Sequence, residues 1–358
     1  MESVRRIVTK ETQEGKAVLF STDKAAFEKW PGADAGSVVV WSTASVPADN
    51  SDGDLEGATR KVGMTLHGGS VFRVTELGPG FQTPMHRTLS TDYCFVLSGT
   101  LELILDGGKQ VTLLAGDAVV QRGTNHAWRN PSRDGRCRFM VCMIEAEMVL
   151  VDGVELKPTP IWKMVFSSLL ALLTPKRQRI RQPGLGSRVE PARRRSLRRV
   201  VTTHDQSGKA QILSDEQIFL SPSTDLRVAG VPIWQTDGVP ISTAGGIRGI
   251  AADDLEFRIG SVFRVTELEP GSQTAMHRSP SIDYCTVLSG ELELLFDSGE
   301  TVRLSPGETV VQRGTWHAWR NPNKEKPSEF VMCMIEAKPI HAFDRAAAAL
   351  WSPQRQNE

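Results

Sequence analysis

The chain has no net charge: 42 Lys and Arg face 42 Asp and Glu in 358 residues. A balanced surface has no global attraction for nucleic acid or anionic lipid, so neither is expected as a partner. Paired cysteines are also missing. Five cysteines, an odd number without paired spacings, suit a reducing compartment better than a disulfide framework. The opening MESVRRIVTKETQEGK lacks an apolar core and is not expected to act as a secretory signal, which points to a cytoplasmic protein. No apolar run approaches the roughly 20 residues of a transmembrane helix; the longest candidate, Met164 to Leu173, falls well short. Nicotinamide and flavin sites are not expected either, because no G-x-G-x-x-G stands between a strand and a helix. Tyrosine occurs only twice, at Tyr93 and Tyr284.

What is present is one sentence written twice. SVFRVTEL at Ser70 to Leu77 recurs at Ser261 to Leu268, and VQRGTNHAWRNP from Val120 recurs as VQRGTWHAWRNP from Val311, at a constant offset of 191 residues. From Ser70 to Ala146 nearly two positions in three are identical to the second copy, without a gap. This is a tandem duplication. Upstream, RRIVTKETQEGKAVLFS from Arg5 resembles RRVVTTHDQSGKAQILS from Arg198, at an offset two residues larger. The indel falls in a surface loop, and DNSDGDLEGATR from Asp49 has a loop's composition. The expected partition is a first unit over 1–158, a basic linker over 159–196, a second unit over 197–340 and a tail over 341–358. The linker region from Ile161 to Arg199 sets eleven Lys or Arg against the single acid Glu190. It reads as a poorly ordered connector, with a membrane-surface or partner-binding segment as the alternative.

Inside each unit, short stretches rich in Val, Leu, Ile and Phe are cut by Gly or Pro about every eight to twelve residues, the rhythm of an all-β sandwich or barrel. Helix is expected only in the tail, at Phe343 to Trp351. Four histidines recur in register: His86 with His277, and His126 with His317. His67, His204 and His341 have no counterpart.

The surrounding spacings resemble the two signature motifs of the cupin superfamily, small jelly-roll barrels that often hold a metal. Gly80, His86, Thr88, Asp92 and Gly99 fall on the positions of the first motif, as do Gly271, His277, Ser279, Asp283 and Gly290. Gly116, Gln121, Gly123, His126 and Asn130 answer to the second, as do Gly307, Gln312, Gly314, His317 and Asn321. The resemblance implies two tandem jelly-roll barrels that pack on each other as cupin protomers do. Two departures fall on the family's metal ligands, its second histidine being Thr88 or Ser279 and its glutamate Asp92 or Asp283, and a third replaces its proline with glutamine. Each unit keeps two histidines and one carboxylate, the composition of a facial triad.

Three readings stand at this point. His86, Asp92 and His126, with His277, Asp283 and His317, hold a divalent metal, Fe(II) foremost with Mn or Zn as alternatives. The same residues form a metal-free acid–base pocket for an isomerase, lyase or cyclase. Or they are buried polar groups that bond one another. Arg122 and Arg313, like Arg87 and Arg278, are candidates to grip a substrate carboxylate or phenolate, and Trp128 and Trp319 to wall the site. Tyr93 and Tyr284 should face away from the Asp residues, towards packing or an inter-barrel interface. Cys94 and Cys285 share the Asp face as small core residues. The units look like single-domain cupins of fungal secondary-metabolite clusters, described as oxidoreductases acting on polyketide intermediates; a non-catalytic small-molecule binder is the further option.

Overall fold

The computed structural model describes residues 1–160, 196–222, 227–242 and 260–338. The basic linker, apart from its two ends, and the helix expected at Phe343 to Trp351 lie outside them. Among the described residues the fold is almost entirely β, with single 3-10 turns at Asp52–Asp54 and Glu56–Ala58. No helix among them is long and apolar enough to cross a membrane.

Each barrel pairs an eight-stranded sheet with a three-stranded one. In the first, the central strands are Ala118–Arg122, Ser90–Ser98, Cys137–Glu145, Ser70–Leu77 and Ala35–Thr43, and the small sheet is His126–Arg129, Thr100–Leu105 and Gln110–Leu114. Alternation sorts their side chains. Val71, Leu77, Cys94, Val96, Val119 and Val141 fill the barrel, while Phe72, Val74, Tyr93, Phe95 and Val120 point out of it. Both faces are buried, which explains why these strands read as near-continuous apolar runs rather than clean alternation.

The outward faces are buried because the two barrels share them. One apolar cluster takes Trp41, Phe72, Tyr93 and Phe95 from the first repeat with Ile233, Trp234, Phe263 and Tyr284 from the second. Contacts come in reciprocal pairs. Tyr93 stacks on Phe263 and Tyr284 on Phe72, each with ring centroids 5.0 Å apart. Tyr93 Oη lies 2.8 Å from Ser261 Oγ, and Tyr284 Oη 2.8 Å from Ser70 Oγ. On this axis Cys333 and Cys142 meet with sulfurs 3.1 Å apart. Both tyrosines therefore take the interface role expected of them, and Cys94 and Cys285 are buried core residues.

The repeats also exchange strands. Val4–Glu11, from the first repeat, pairs in parallel with Thr309–Arg313 of the second barrel, through Arg6 to Val8 against Thr309 to Val311. Ser196–His204, from the second repeat, pairs in parallel with Ala118–Arg122 of the first. Each brings a hairpin partner, Ala17–Ala25 or Ala210–Phe219, so the two strands at one edge of each large sheet come from the other repeat. Inward-facing Val200 joins the first core and Ile7 the second.

Because the aromatic pairs belong to both barrels, Phe72→Ala or Phe263→Ala should cost about 3–5 kcal/mol, within a single denaturant transition followed by fluorescence and circular dichroism. Two resolved transitions would show that the barrels fold independently.

Candidate functional site

The site is built on a two-residue bridge. His86 and His126 face each other outside the large sheet, and each backbone N–H donates to the other's carbonyl at 2.8 Å; His277 and His317 repeat this at 2.8 Å. The strand carrying Asp92 begins at Ser90, so the shared parity expected of His86 and Asp92 is broken by the turn between them.

Each imidazole is fixed by a carbonyl two residues upstream. Nδ1 lies 2.8 Å from Pro84 O in His86 and 2.9 Å from Thr124 O in His126; in the second barrel Nδ1 of His277 and of His317 lies 2.9 Å from Ala275 O and Thr315 O. A carbonyl only accepts, so Nδ1 carries the proton and a neutral ring leaves its Nε2 lone pair free. The paired rings are 4.4 Å apart in the first barrel and 4.3 Å in the second. Burial pushes every one of these histidines down, the Nδ1–carbonyl bond opposing it; in His126 and His317 the neighbouring histidine lowers it further, His317 to about 3. The imidazoles are neutral bases at physiological pH. His277 is more open to solvent than His86, although its ring is still desolvated enough to be lowered.

Asp92 does not join them. Its carboxylate accepts from Ser90 Oγ and, at 3.2 Å, from Thr88 Oγ1; Asp283 accepts from Ser281 Oγ at 2.5 Å and Ser279 Oγ at 3.5 Å. The hydroxyl at the position of the family's second histidine is thus spent on the aspartate, and the pair tightens the turn that follows His86. Burial pushes Asp92 up to about 6 and Asp283 to about 7, against the lowering effect of those hydroxyls and, for Asp283, of Arg264. Among the described residues no three His, Cys, Asp or Glu side chains converge to hold a metal. The expected sets His86, Asp92, His126 and His277, Asp283, His317 are therefore not assembled: each barrel supplies two imidazoles and stops one ligand short of a facial triad.

Trp128 and Trp319 do wall the histidines. Trp128 stands edge-on to His126 at 5.3 Å with Phe139 behind it, and Trp319 stands at 5.7 Å from His317 with Phe330 behind. Arg122 and Arg313 are displaced from the expected substrate role. They follow inward-facing Gln121 and Gln312, so they point between the barrels, where Arg122 lies over Trp234 at 6.0 Å and Arg313 over Trp41 at 5.9 Å. Arg313 also donates to Ser51 O at 2.6 Å.

Sequence reasoning missed the exchanged strands' contribution. Thr202 Oγ1 donates to Gln121 Oε1 at 2.8 Å and lies 2.9 Å from Thr124 Oγ1, while Thr9 Oγ1 lies 3.0 Å from Thr315 Oγ1. Each thus braces the turn that presents a carbonyl to the second histidine of the other repeat's barrel. This gives the glutamine that replaces the family's proline a partner in the first barrel. Also missed was Arg264, the arginine of SVFRVTEL, whose inward parity brings it near Asp283 and His277; burial lowers it to about 10 despite Asp283. Alternation along those strands was the available signal.

The model of the cupin domain matches residues 73–143 and 264–334, one match in each barrel. A cupin-domain-containing oxidoreductase of Aspergillus ruber is 32% identical over 162 residues, 44% of this chain and 80% of its own length. The chain belongs to the cupin-domain family. Oryzines biosynthesis cluster protein J of Aspergillus oryzae is 33% identical over 160 residues, 43% of this cupin chain and 89% of that protein. Phomopsin biosynthesis cluster protein C' of Diaporthe leptostromiformis is 46% identical over 91 residues, 25% of this chain; the match spans about half, 48%, of that relative's length.

The buried aspartates give the cupin barrels a testable pH signature. Unfolded carboxyls titrate near pH 4, so between about pH 4 and 7 the folded state keeps protons the unfolded state has lost, and their contribution to stability falls as pH rises. The depressed histidines act in the opposite sense. Subtracting the unfolding free energy of Asp92→Asn/Asp283→Asn, which retains the histidines, isolates the carboxyls. Wild type minus variant should fall by about 6 kcal/mol from pH 4 to pH 8; a difference that rises would mean both aspartates are ionised in the fold.

Proposed function

We propose that this cupin chain is a tailoring enzyme of fungal secondary metabolism, with one small-molecule site per barrel, in which the paired imidazoles move a proton on the substrate. The observation that carries this reading is the pair of neutral rings in each barrel, Nδ1 held by a carbonyl and Nε2 free. Such a nitrogen accepts a proton from a carbon or hydroxyl acid and returns it elsewhere on the substrate. The second ring, within van der Waals reach of the first, shares the resulting charge, and the edge-on Trp128 or Trp319 offers an apolar wall for an aromatic or polyketide-type skeleton. Asp92 and Asp283 act as positioning residues through the Thr88 and Ser90, or Ser279 and Ser281, hydroxyls. Membership of biosynthesis clusters and the name oxidoreductase among the relatives support the tailoring role.

Those oxidoreductase names favour a second reading, a metal-assisted redox step. The paired imidazoles are consistent with part of a metal site, but among the described residues no third His, Cys, Asp or Glu joins them, and a redox step needs an electron acceptor from outside these side chains.

The test uses the intermediate that accumulates when the gene is deleted from its producer. Purified protein should convert it after EDTA treatment, in deuterated water should place deuterium at the reacting carbon, and should lose at least about a hundredfold in rate in His126→Ala/His317→Ala, within the usual contribution of a general base. Activity lost to EDTA and restored by Fe(II) or Mn(II) would replace the proton-transfer reading with the metal-assisted one.

A further inference from the structure

Two positions beside the histidine bridge differ between the barrels, and they act on one arginine. Arg87 and Arg278 follow the first histidine of each bridge and occupy the same place in the repeat. In the second barrel the arginine is committed. Its guanidinium lies 3.3 Å and 3.4 Å from the two carboxylate oxygens of Glu11, which the exchanged strand brings across, and 5.8 Å from the ring centroid of Trp316. Charge and face are both taken up within the protein.

In the first barrel the same two neighbours are changed. The exchanged strand delivers His204 where Glu11 stands in the other copy, and Asn125 replaces Trp316. Asn125 is turned away, its Nδ2 donating to Asp106 Oδ2 at 2.9 Å, while Asp106 Oδ1 accepts from Ala210 N at 2.7 Å. Asp106 is the carboxylate whose field Arg87 feels, and both its oxygens are engaged. Among the described residues the Arg87 guanidinium makes one hydrogen bond, Nη2 to Gly208 O at 3.4 Å, and its Nε is buried without a partner. His204 Nε2 is buried without a partner too. Burial lowers His204, as do Arg87 and Arg122; the Gly123 backbone and Asp106 oppose them. Thr159 pins the arginine's backbone from the other side, its N–H donating to Arg87 O at 2.9 Å and its Oγ1 accepting from Arg87 N at 3.0 Å.

A half-buried guanidinium with no direct carboxylate bond and an unpartnered Nε is an orphan donor, and the neutral His204 beside it, its Nε2 unpartnered, supplies no negative charge where Glu11 does in the other copy. We propose that Arg87 forms an anion subsite at the first barrel only, for a carboxylate or phenolate of the small molecule, that the neutral His204 leaves this guanidinium unpaired, and that Glu11 and Trp316 close the equivalent place in the second. The proposal rests on the small-molecule reading of the barrels and adds the substrate's charge and a division between the two sites.

Benzoate, titrated into the full chain by calorimetry at millimolar concentration, is the probe. It should bind once per chain, lose at least about tenfold in affinity in Arg87→Met, and lose comparably in His204→Glu, which copies the ion pair of the second barrel. Arg278→Met should bind as wild type does. Glu11→His/Trp316→Asn should raise the stoichiometry from one to two, an outcome that misfolding does not mimic. His126→Ala/His317→Ala, which removes the proposed proton-transfer groups, should still bind benzoate, so the subsite and the reaction fail separately. No saturable binding, two sites in the wild type, or unchanged affinity in both Arg87→Met and His204→Glu would overturn the proposal.

Discussion

The parallel pairing of a strand from one repeat with the Gln-Arg-Gly strand of the other is the contact on which this molecule depends. Val119 and Val310 sit in central strands, and each would be a sheet edge without the strand from the opposite repeat. Closing that edge places Thr202 and Thr9 against the turns that orient His126 and His317. The apolar cluster between the barrels then follows, since two large sheets linked by exchanged strands bury their outer faces on each other. Fold stability and site geometry therefore share one cause.

The histidine bridge shows how little is needed to set a protonation state. Reciprocal N–H to carbonyl bonds fix the two backbones, and a carbonyl two residues upstream fixes each ring, so that the tautomer follows from the chain path alone. Burial removes water that would stabilise the imidazolium, and the adjacent ring penalises it again. The same desolvation acts on the aspartates in the opposite direction, because there the charged form is the deprotonated one. One apolar barrel thus holds neutral bases and a carboxyl poised near neutrality without any ion pair between them.

The repeat, the strand rhythm and the matched histidines made both barrels and the two halves of each bridge legible in the sequence. Strand parity also placed Tyr93 and Tyr284 on the interface. It failed for Asp92, because a strand that starts at Ser90 cannot carry parity back to His86, and the hydroxyls at Thr88 and Ser90 were closer partners for the carboxylate than any ring. It failed for Arg122 and Arg313 for a different reason: the motif puts them beside the site in sequence, but they follow inward-facing glutamines and so must point outward. The exchange of hairpins left no local signal, since Val4–Glu11 carries the same pattern whichever barrel it joins.

Fusion of the repeats gives the exchange a further consequence. In a dimer of identical single-repeat chains, the residue facing Arg87 from across the interface would be the same at both sites, and any substitution would alter both. In one chain the facing residues are encoded separately, as His204 for the first barrel and Glu11 for the second. Asn125 and Trp316 differ in the same neighbourhood and in a compatible sense, one leaving the arginine open and the other covering it. The interior aspartate, the histidine pair and the tryptophan wall are unchanged between the copies. Duplication has therefore kept the groups that can move a proton in both barrels, while the residues facing the arginine beside each histidine bridge have diverged.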